Sequence, residues 1–166
     1  MFRFRRSYNK NDFDLLNSEL FDQNSFYPAF IADATRATRT IIIESPFIGY
    51  RRLGSLLPVL EKAIRSGVRV VINTRDPSEH NDAMRQYATQ GITAFQSIGV
   101  EVLYTGGHHR KLAMVDNRIL WEGSLNILSQ SDSCEVMRRV ESAQLTEKMI
   151  AFTGLAEWYT RGTYDS

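Results

Sequence analysis

The chain has 166 residues and 43% hydrophobic content, the size and composition of one globular domain with a packed core. With 20 basic against 19 acidic residues the formal charge is +1, which excludes strong long-range attraction to a polyanion and makes any anion preference local. The single cysteine, Cys134, excludes an intrachain disulfide and cysteine-only zinc sites and fits a reducing, cytoplasmic setting, and no apolar run approaches the length of a membrane span.

Residues 1–20 carry positive charge without a following apolar stretch and read as an N-terminal extension to a domain covering 1–166. Phe26, Phe30, Ile31 and Ala34 then predict a helix. Thr40–Glu44, Val68–Asn73 and Val100–Tyr104 are β-branched runs bounded by turn residues, as expected for buried strands. Between the first two, Leu53, Leu56, Leu57, Leu60, Ala63 and Ile64 recur at helical spacing and stop at Gly67. Met84, Tyr87, Ile92, Phe95 and Ile98 repeat the pattern and stop at Gly99, which gives a β-α-β-α-β order and an α/β fold. Leu145, Met149, Phe152, Ala156 and Tyr159 predict a closing helix that ends near Gly162.

The segment between the third strand and the closing helix carries the chemistry. Side chains two apart on a strand share a face, so His109 and Lys111 point together while Leu112 and Met114 point away. Asp116 closes that strand, Asn117-Arg118 reads as a turn, and Ile119-Leu120-Trp121 returns to bring Gly123, Ser124 and Asn126 alongside. These groups suit attack on a phosphodiester. An imidazole nitrogen serves as nucleophile while Lys111, Asn126 and Ser124 hold the non-bridging oxygens, and Gly123 lets the backbone approach the phosphate. A carboxylate on the far ring nitrogen would fix the tautomer, and Glu135 is the candidate, with Glu122 next. Asp116 takes a supporting part, binding Lys111 or ordering the turn. No metal or other cofactor is required.

The spacing His109-x-Lys111-x4-Asp116-x6-Gly123-Ser124-x-Asn126, with Glu135 downstream, resembles the signature of the phospholipase D superfamily. Six fixed positions coincide by chance on the order of once in 10⁵ to 10⁶ sequences of this length, so the resemblance is specific. Across roughly residues 20 to 155, including Ile43–Ile48 and Thr74–Pro77, the chain is similar to single-motif, nuclease-like members and to domains joined to DNA or RNA helicases. The resemblance implies an α/β/α sandwich with a mixed central β-sheet, metal-independent hydrolysis through a phosphohistidine, and a site assembled from two motifs. Since this chain has one motif, the second group is expected from a second copy in a two-fold homodimer.

The remaining candidates lie around that segment. The pairs Arg51-Arg52 and Arg138-Arg139 are placed to line the approach to the site, with Arg51, Arg52 and Arg138 as substrate-binding candidates beside Gly123. Phe47, Tyr50 and Tyr104 are candidates for stacking on bases. His108 has the wrong spacing and face for the motif, His80 sits near a helix start without an assigned role, and Cys134 is read as structural. The expected function is a nuclease acting on DNA or RNA, with a covalently or non-covalently associated helicase as a candidate partner and no membrane partner. The alternatives are a non-catalytic nucleic-acid-binding module and a phospholipase, the latter disfavoured by the absence of a lipid-facing stretch.

Overall fold

The computed structural model describes residues 18–130 and 132–157. Its frame is a seven-stranded sheet in which β1 (Ser18–Asp22), β2 (Thr40–Glu44), β3 (Arg69–Thr74), β4 (Glu101–Tyr104), β5 (Leu112–Val115), β6 (Ile119–Gly123) and β7 (Val136–Glu141) lie in the order β1-β7-β6-β5-β2-β3-β4. The helices are α1 (Phe26–Arg36), α2 (Tyr50–Arg65), α3 (Asp82–Ser97) and α4 (Ala143–Thr153). The pairs β2–β3 and β3–β4 are parallel, and the pairs β2–β5, β5–β6, β6–β7 and β1–β7 are antiparallel. The sheet is therefore mixed, as expected.

Strand periodicity divides the central residues between two faces. Ile41, Ile43, Val70, Ile72, Ala113, Val115, Ile119 and Trp121 point into the larger core, where Phe26 and Phe30 of α1, Leu56 and Leu60 of α2, and Ile92 and Phe95 of α3 meet them. The intervening Ile42, Val71, Met114 and Leu120 point to the other face and pack against Ile150 of α4. Both faces of β2, β3 and β5 are thus covered, which explains why these strands read as continuous apolar runs rather than alternating ones.

Several boundaries differ from the sequence reading. Strands β1 and β7 have no counterpart in it, and β1 includes Ser18, Glu19 and Leu20 from the stretch read as an extension. The strand carrying Lys111 begins only at Leu112, so His109 and Lys111 sit on the extended segment entering it. The tight turn after β5 is Asp116-Asn117, not Asn117-Arg118. Both residues are left-handed, with φ of 54° and 52°, and Arg118 N–H donates to Val115 O over 3.0 Å, the geometry that matches the twist of a two-residue hairpin. Helix α4 stops at left-handed Gly154 (φ 78°), while Tyr159 and Gly162 lie outside the described residues.

Candidate active site

The antiparallel register gathers one end of the sheet. Glu44 at the end of β2 faces Leu112 at the start of β5, Leu112 faces Glu122 near the end of β6, and Gly123 faces Met137 at the start of β7. Every loop leaving this end therefore emerges near the segment 109–111. The Lys111 ammonium donates to His109 Nδ1 over 3.0 Å and to the His109 carbonyl oxygen over 2.8 Å, so the predicted pair is in direct contact. His109 is exposed. Burial pulls the Lys111 pKa down from its ordinary value, partly opposed by the charge of Glu135.

Glu135 is held by hydroxyls. It accepts from Ser124 Oγ in a short contact and from Ser133 Oγ over 2.7 Å, and its own N–H donates to Gln23 Oε1 over 3.0 Å. The Ser124 and Ser133 hydrogen bonds hold the Glu135 carboxyl below the usual carboxylate range. No hydrogen bond joins Glu135 to His109 among the described residues; the ring is engaged by Lys111 instead. Ser124 Oγ also accepts from Val136 N–H over 3.1 Å, so its hydroxyl is committed on both sides. Asn126 stands after this hairpin, and its Oδ1 is buried without a partner.

His109, Lys111, Gly123, Ser124, Glu122 and Arg138 line one cleft of about 810 Å³, whose other wall is Leu20, Val136, Met149 and Phe152. Three of these are exposed apolar side chains: Leu20 at 73%, Val136 at 51% and Phe152 at 82% of full accessibility. The sequence reading contained no such surface, because the residues come from β1, β7 and α4 and become neighbours only in the fold.

Other predicted residues fall elsewhere or act differently. Asp116 is at the far end of β5 from Lys111, where its carboxylate accepts from the backbone N–H groups of Thr38, Arg39 and Thr40 over 2.9, 2.8 and 3.0 Å. It orders the turn and the entry to β2 and does not bind Lys111. Gly123 is required by packing between strands, since a Cβ there would lie 2.1 Å from Val136 O. Arg52 is structural, donating to Gln130 O over 2.8 Å with its guanidinium 3.7 Å above the Tyr27 ring. Arg51, itself exposed, pairs with exposed Asp132 at 3.7 Å. Arg138 lines the cleft, paired with Glu122, whereas Arg139 turns to buried Asp33 over 2.7 Å. Cys134 is exposed rather than packed in the core.

Beneath the segment lies a polar network that sequence reasoning missed. Fully buried Glu44 takes both nitrogens of an ion pair from Arg110, and Asn73 Nδ2 donates to it over 3.3 Å. Arg75 clamps the His108 carbonyl with two donors at 3.2 and 2.9 Å. His108 itself is buried with both ring nitrogens unpartnered, and that burial holds its pKa below the ordinary histidine value. The available signal was the acid ending the Thr40-Ile41-Ile42-Ile43-Glu44 run, a charge where a buried strand would otherwise stay apolar.

A mixed α/β sandwich whose His–Lys pair enters one strand of a hairpin and whose Gly-Ser-x-Asn leaves the other is the phospholipase D class of domain. The family described as cardiolipin synthase, PLD-like domain, matches residues 30–154, and the chain belongs to this branch of the phospholipase D superfamily. Among solved structures it is similar to Nuc, a phospholipase D family member from Salmonella typhimurium, with TM-score 0.67, 16% identity and coverage of 88% of this chain and 93% of that one. It is similar to NucT from Helicobacter pylori, with TM-score 0.64, 18% identity and coverage of 81% and 91%. TrmBL2, an archaeal chromatin protein, shares the fold at TM-score 0.58 and 11% identity over 87% of this chain and 53% of that one. No curated protein matches the chain.

Proposed function

We propose that the protein is a metal-independent phosphodiesterase that cleaves DNA or RNA through a phosphohistidine at His109. Membership of the phospholipase D superfamily supports phosphodiester chemistry in general. The observation that carries the finer reading is the contact of the Lys111 ammonium with His109 Nδ1 at 3.0 Å, at the wall of a cleft that also holds Ser124. With Lys111 donating to Nδ1, the neutral ring carries its proton on Nε2. When a substrate phosphate arrives, Lys111 moves to a non-bridging oxygen, Nδ1 takes the proton under the influence of Glu135, and the freed Nε2 lone pair attacks phosphorus. The N–P bond forms as the bond to the leaving alcohol oxygen breaks, and a second histidine protonates that oxygen. Water then gives a proton to that second histidine as its oxygen attacks phosphorus, the N–P bond breaks, and His109 leaves as the neutral ring. Asn126 adds a donor to the charge shared by Lys111 as it builds on the phosphate.

A second reading is a phospholipase or lipid transphosphatidylase. The exposed apolar wall of Leu20, Val136 and Phe152 beside His109 favours it, and the matching family is described by a lipid-synthesising enzyme. The same wall also suits a protein interface, and no helix among the described residues is long and apolar enough to cross a membrane. A non-catalytic nucleic-acid-binding module is disfavoured because the chemical residue types are all retained, although TrmBL2 is by its description a chromatin protein that binds DNA. The test is a cleavage panel of single-stranded DNA, duplex DNA, RNA and phospholipid vesicles with and without EDTA. Cleavage of a nucleic acid that persists in EDTA is expected. Turnover of vesicles alone would establish the lipid reading, and loss with EDTA restored by magnesium would refute the mechanism.

A further inference from the structure

A second cavity, of about 570 Å³, opens at the same end of the sheet but over β2 and β3, between the start of α2 and α3. Its volume falls within the range of about 300–1,000 Å³ usual for small-molecule sites. Four of its nine lining residues carry rings, and Ile48, Met84 and Ala88 add aliphatic surface. The rings are Phe47, Tyr50, His80 and Tyr87, and Ser129 also lines the space. The Phe47 and His80 rings stand 5.4 Å apart at 37°, and the Arg75 guanidinium lies 5.4 Å from the Phe47 centroid. Tyr50 and Tyr87 are 79% and 57% accessible, so two aromatic faces at the mouth are not covered by this chain.

The floor is preformed. Ile48 packs so closely on α3 that a Cβ at Gly91 would lie 2.3 Å from Ile48 Cγ2, and Gly49 N–H donates to Leu128 O over 2.8 Å. The cavity is also tied to the candidate active site by short spans of chain. The N–H groups of Ser129 and Gln130 donate to the Asn126 carbonyl over 3.0 and 2.8 Å, so one tight turn carries Asn126 at its start and a wall of the cavity at its end. Arg75, beside Phe47, holds the carbonyl of His108, the residue preceding His109.

We propose that this aromatic cavity is a nucleobase subsite, holding the base of a nucleotide next to the scissile phosphate by stacking between Tyr50, Tyr87 and Phe47. The inference rests on the nucleic-acid reading of the active site and specifies how that substrate is gripped. A base fits the lining better than an acyl chain does, because four rings line the space together with two polar side chains, Ser129 and His80, which a hydrocarbon would leave unsatisfied, while Ile48, Met84 and Ala88 accept the apolar part of either. Burial holds the His80 ring toward its neutral form, in which one nitrogen donates and the other accepts. Arg75, 5.4 Å from the Phe47 ring, and exposed Arg51, next to Tyr50 in the chain, would offer positive charge to the flanking phosphates in competition with their carboxylate partners Glu79 and Asp132.

The experiment measures binding, so it does not depend on turnover. The His109→Ala chain is titrated with a short single-stranded DNA and with an abasic strand of the same length and phosphate count. The base-bearing strand is expected to bind about tenfold more tightly, the weight of one base–aromatic stack. In the Tyr50→Ala/Tyr87→Ala background, both changes lying at exposed positions, that difference should vanish while affinity for the abasic strand is kept. Equal binding of the two strands, or a preference that survives both tyrosine changes, overturns the subsite. A tyrosine pair whose loss instead weakens vesicle binding or self-association assigns the cavity to a lipid or protein contact and overturns it equally. If the parent cleaves no nucleic acid yet the base preference and its tyrosine dependence hold, the reaction falls and the subsite stands.

Discussion

At the scale of single residues, adjacent histidines have opposite environments, and this separates their expected behaviour. His109 is exposed and in contact with Lys111, so His109→Ala should abolish turnover with the thermal midpoint little changed. Comparing residual activity with circular-dichroism melting checks this; substantial residual turnover would move the nucleophile elsewhere. His108 is buried, unpartnered and held below its ordinary pKa. An unfolded chain protonates this histidine below about pH 6.5 while the folded chain resists, so stability falls as the pH drops through that value toward the folded one. His108→Leu removes the penalty, and its denaturant-measured stability relative to the parent should rise progressively below pH 6.5. Glu135→Gln keeps the hydroxyl contacts but not the charge, and should lower turnover by ~10²-fold or more through loss of imidazolium stabilisation. Parent-like activity in that variant would turn attention to Glu122, which is engaged by Arg138 in the same cleft.

At the scale of elements, the hairpin of β5 and β6 does two jobs at opposite ends. Its open end carries Lys111 and Ser124, and its closed end carries Asp116, a left-handed residue whose carboxylate collects three backbone N–H groups from the chain entering β2. Burial works to raise the Asp116 pKa, but the hydrogen bonds from Thr40, Thr38 and Arg39 outweigh it and the value is lowered. The stabilisation is therefore present above the unfolded aspartate value, about 3.9, and is lost as the pH falls through the lower folded one. Asp116→Asn, which tolerates the same backbone, should cost ~1–2 kcal/mol near neutrality and flatten the acid limb of the stability profile. An unchanged denaturation midpoint would show that the turn holds without the charge. The spacing of His109, Lys111, Ser124 and Asn126 was legible in the sequence because strand period and hairpin length are local properties. Strand β7 was not. Only Met137 and Val140 of it are buried, and Arg138 and Arg139 interrupt the apolar signal for reasons that lie across the fold, in Glu122 and Asp33. The Glu44–Arg110 pair was hidden for the same reason, its partners being brought together only by the pairing of β2 with β5.

At the scale of the whole molecule, the proposed reaction asks for two groups of opposite role, and one chain carries a single copy of the motif. In-line displacement at phosphorus needs a nucleophile on one side and a proton donor for the leaving oxygen on the other. The other histidines are badly placed for the second part: His108 is buried and does not line the cleft, and His80 lies in the wall of the aromatic cavity. We propose that a two-fold axis beside the His109 segment supplies the second group without a new residue, because it would set one His109 on each side of a shared phosphate. The apolar wall beside His109 gives such a pairing a surface to bury, since Leu20, Val136 and Phe152 are exposed there and burying apolar area drives association. A homodimer sharing one centre makes a definite kinetic demand. When parent subunits are mixed with excess His109→Ala subunits under exchange, every mixed dimer lacks either the nucleophile or the acid, so activity should fall with the square of the parent fraction rather than in proportion to it. Leu20→Glu or Phe152→Glu, placing charge on the proposed interface, should shift light scattering toward monomer and reduce activity in parallel. Activity proportional to the parent fraction, or a monomer with full turnover, would mean that the proton donor is carried within one chain.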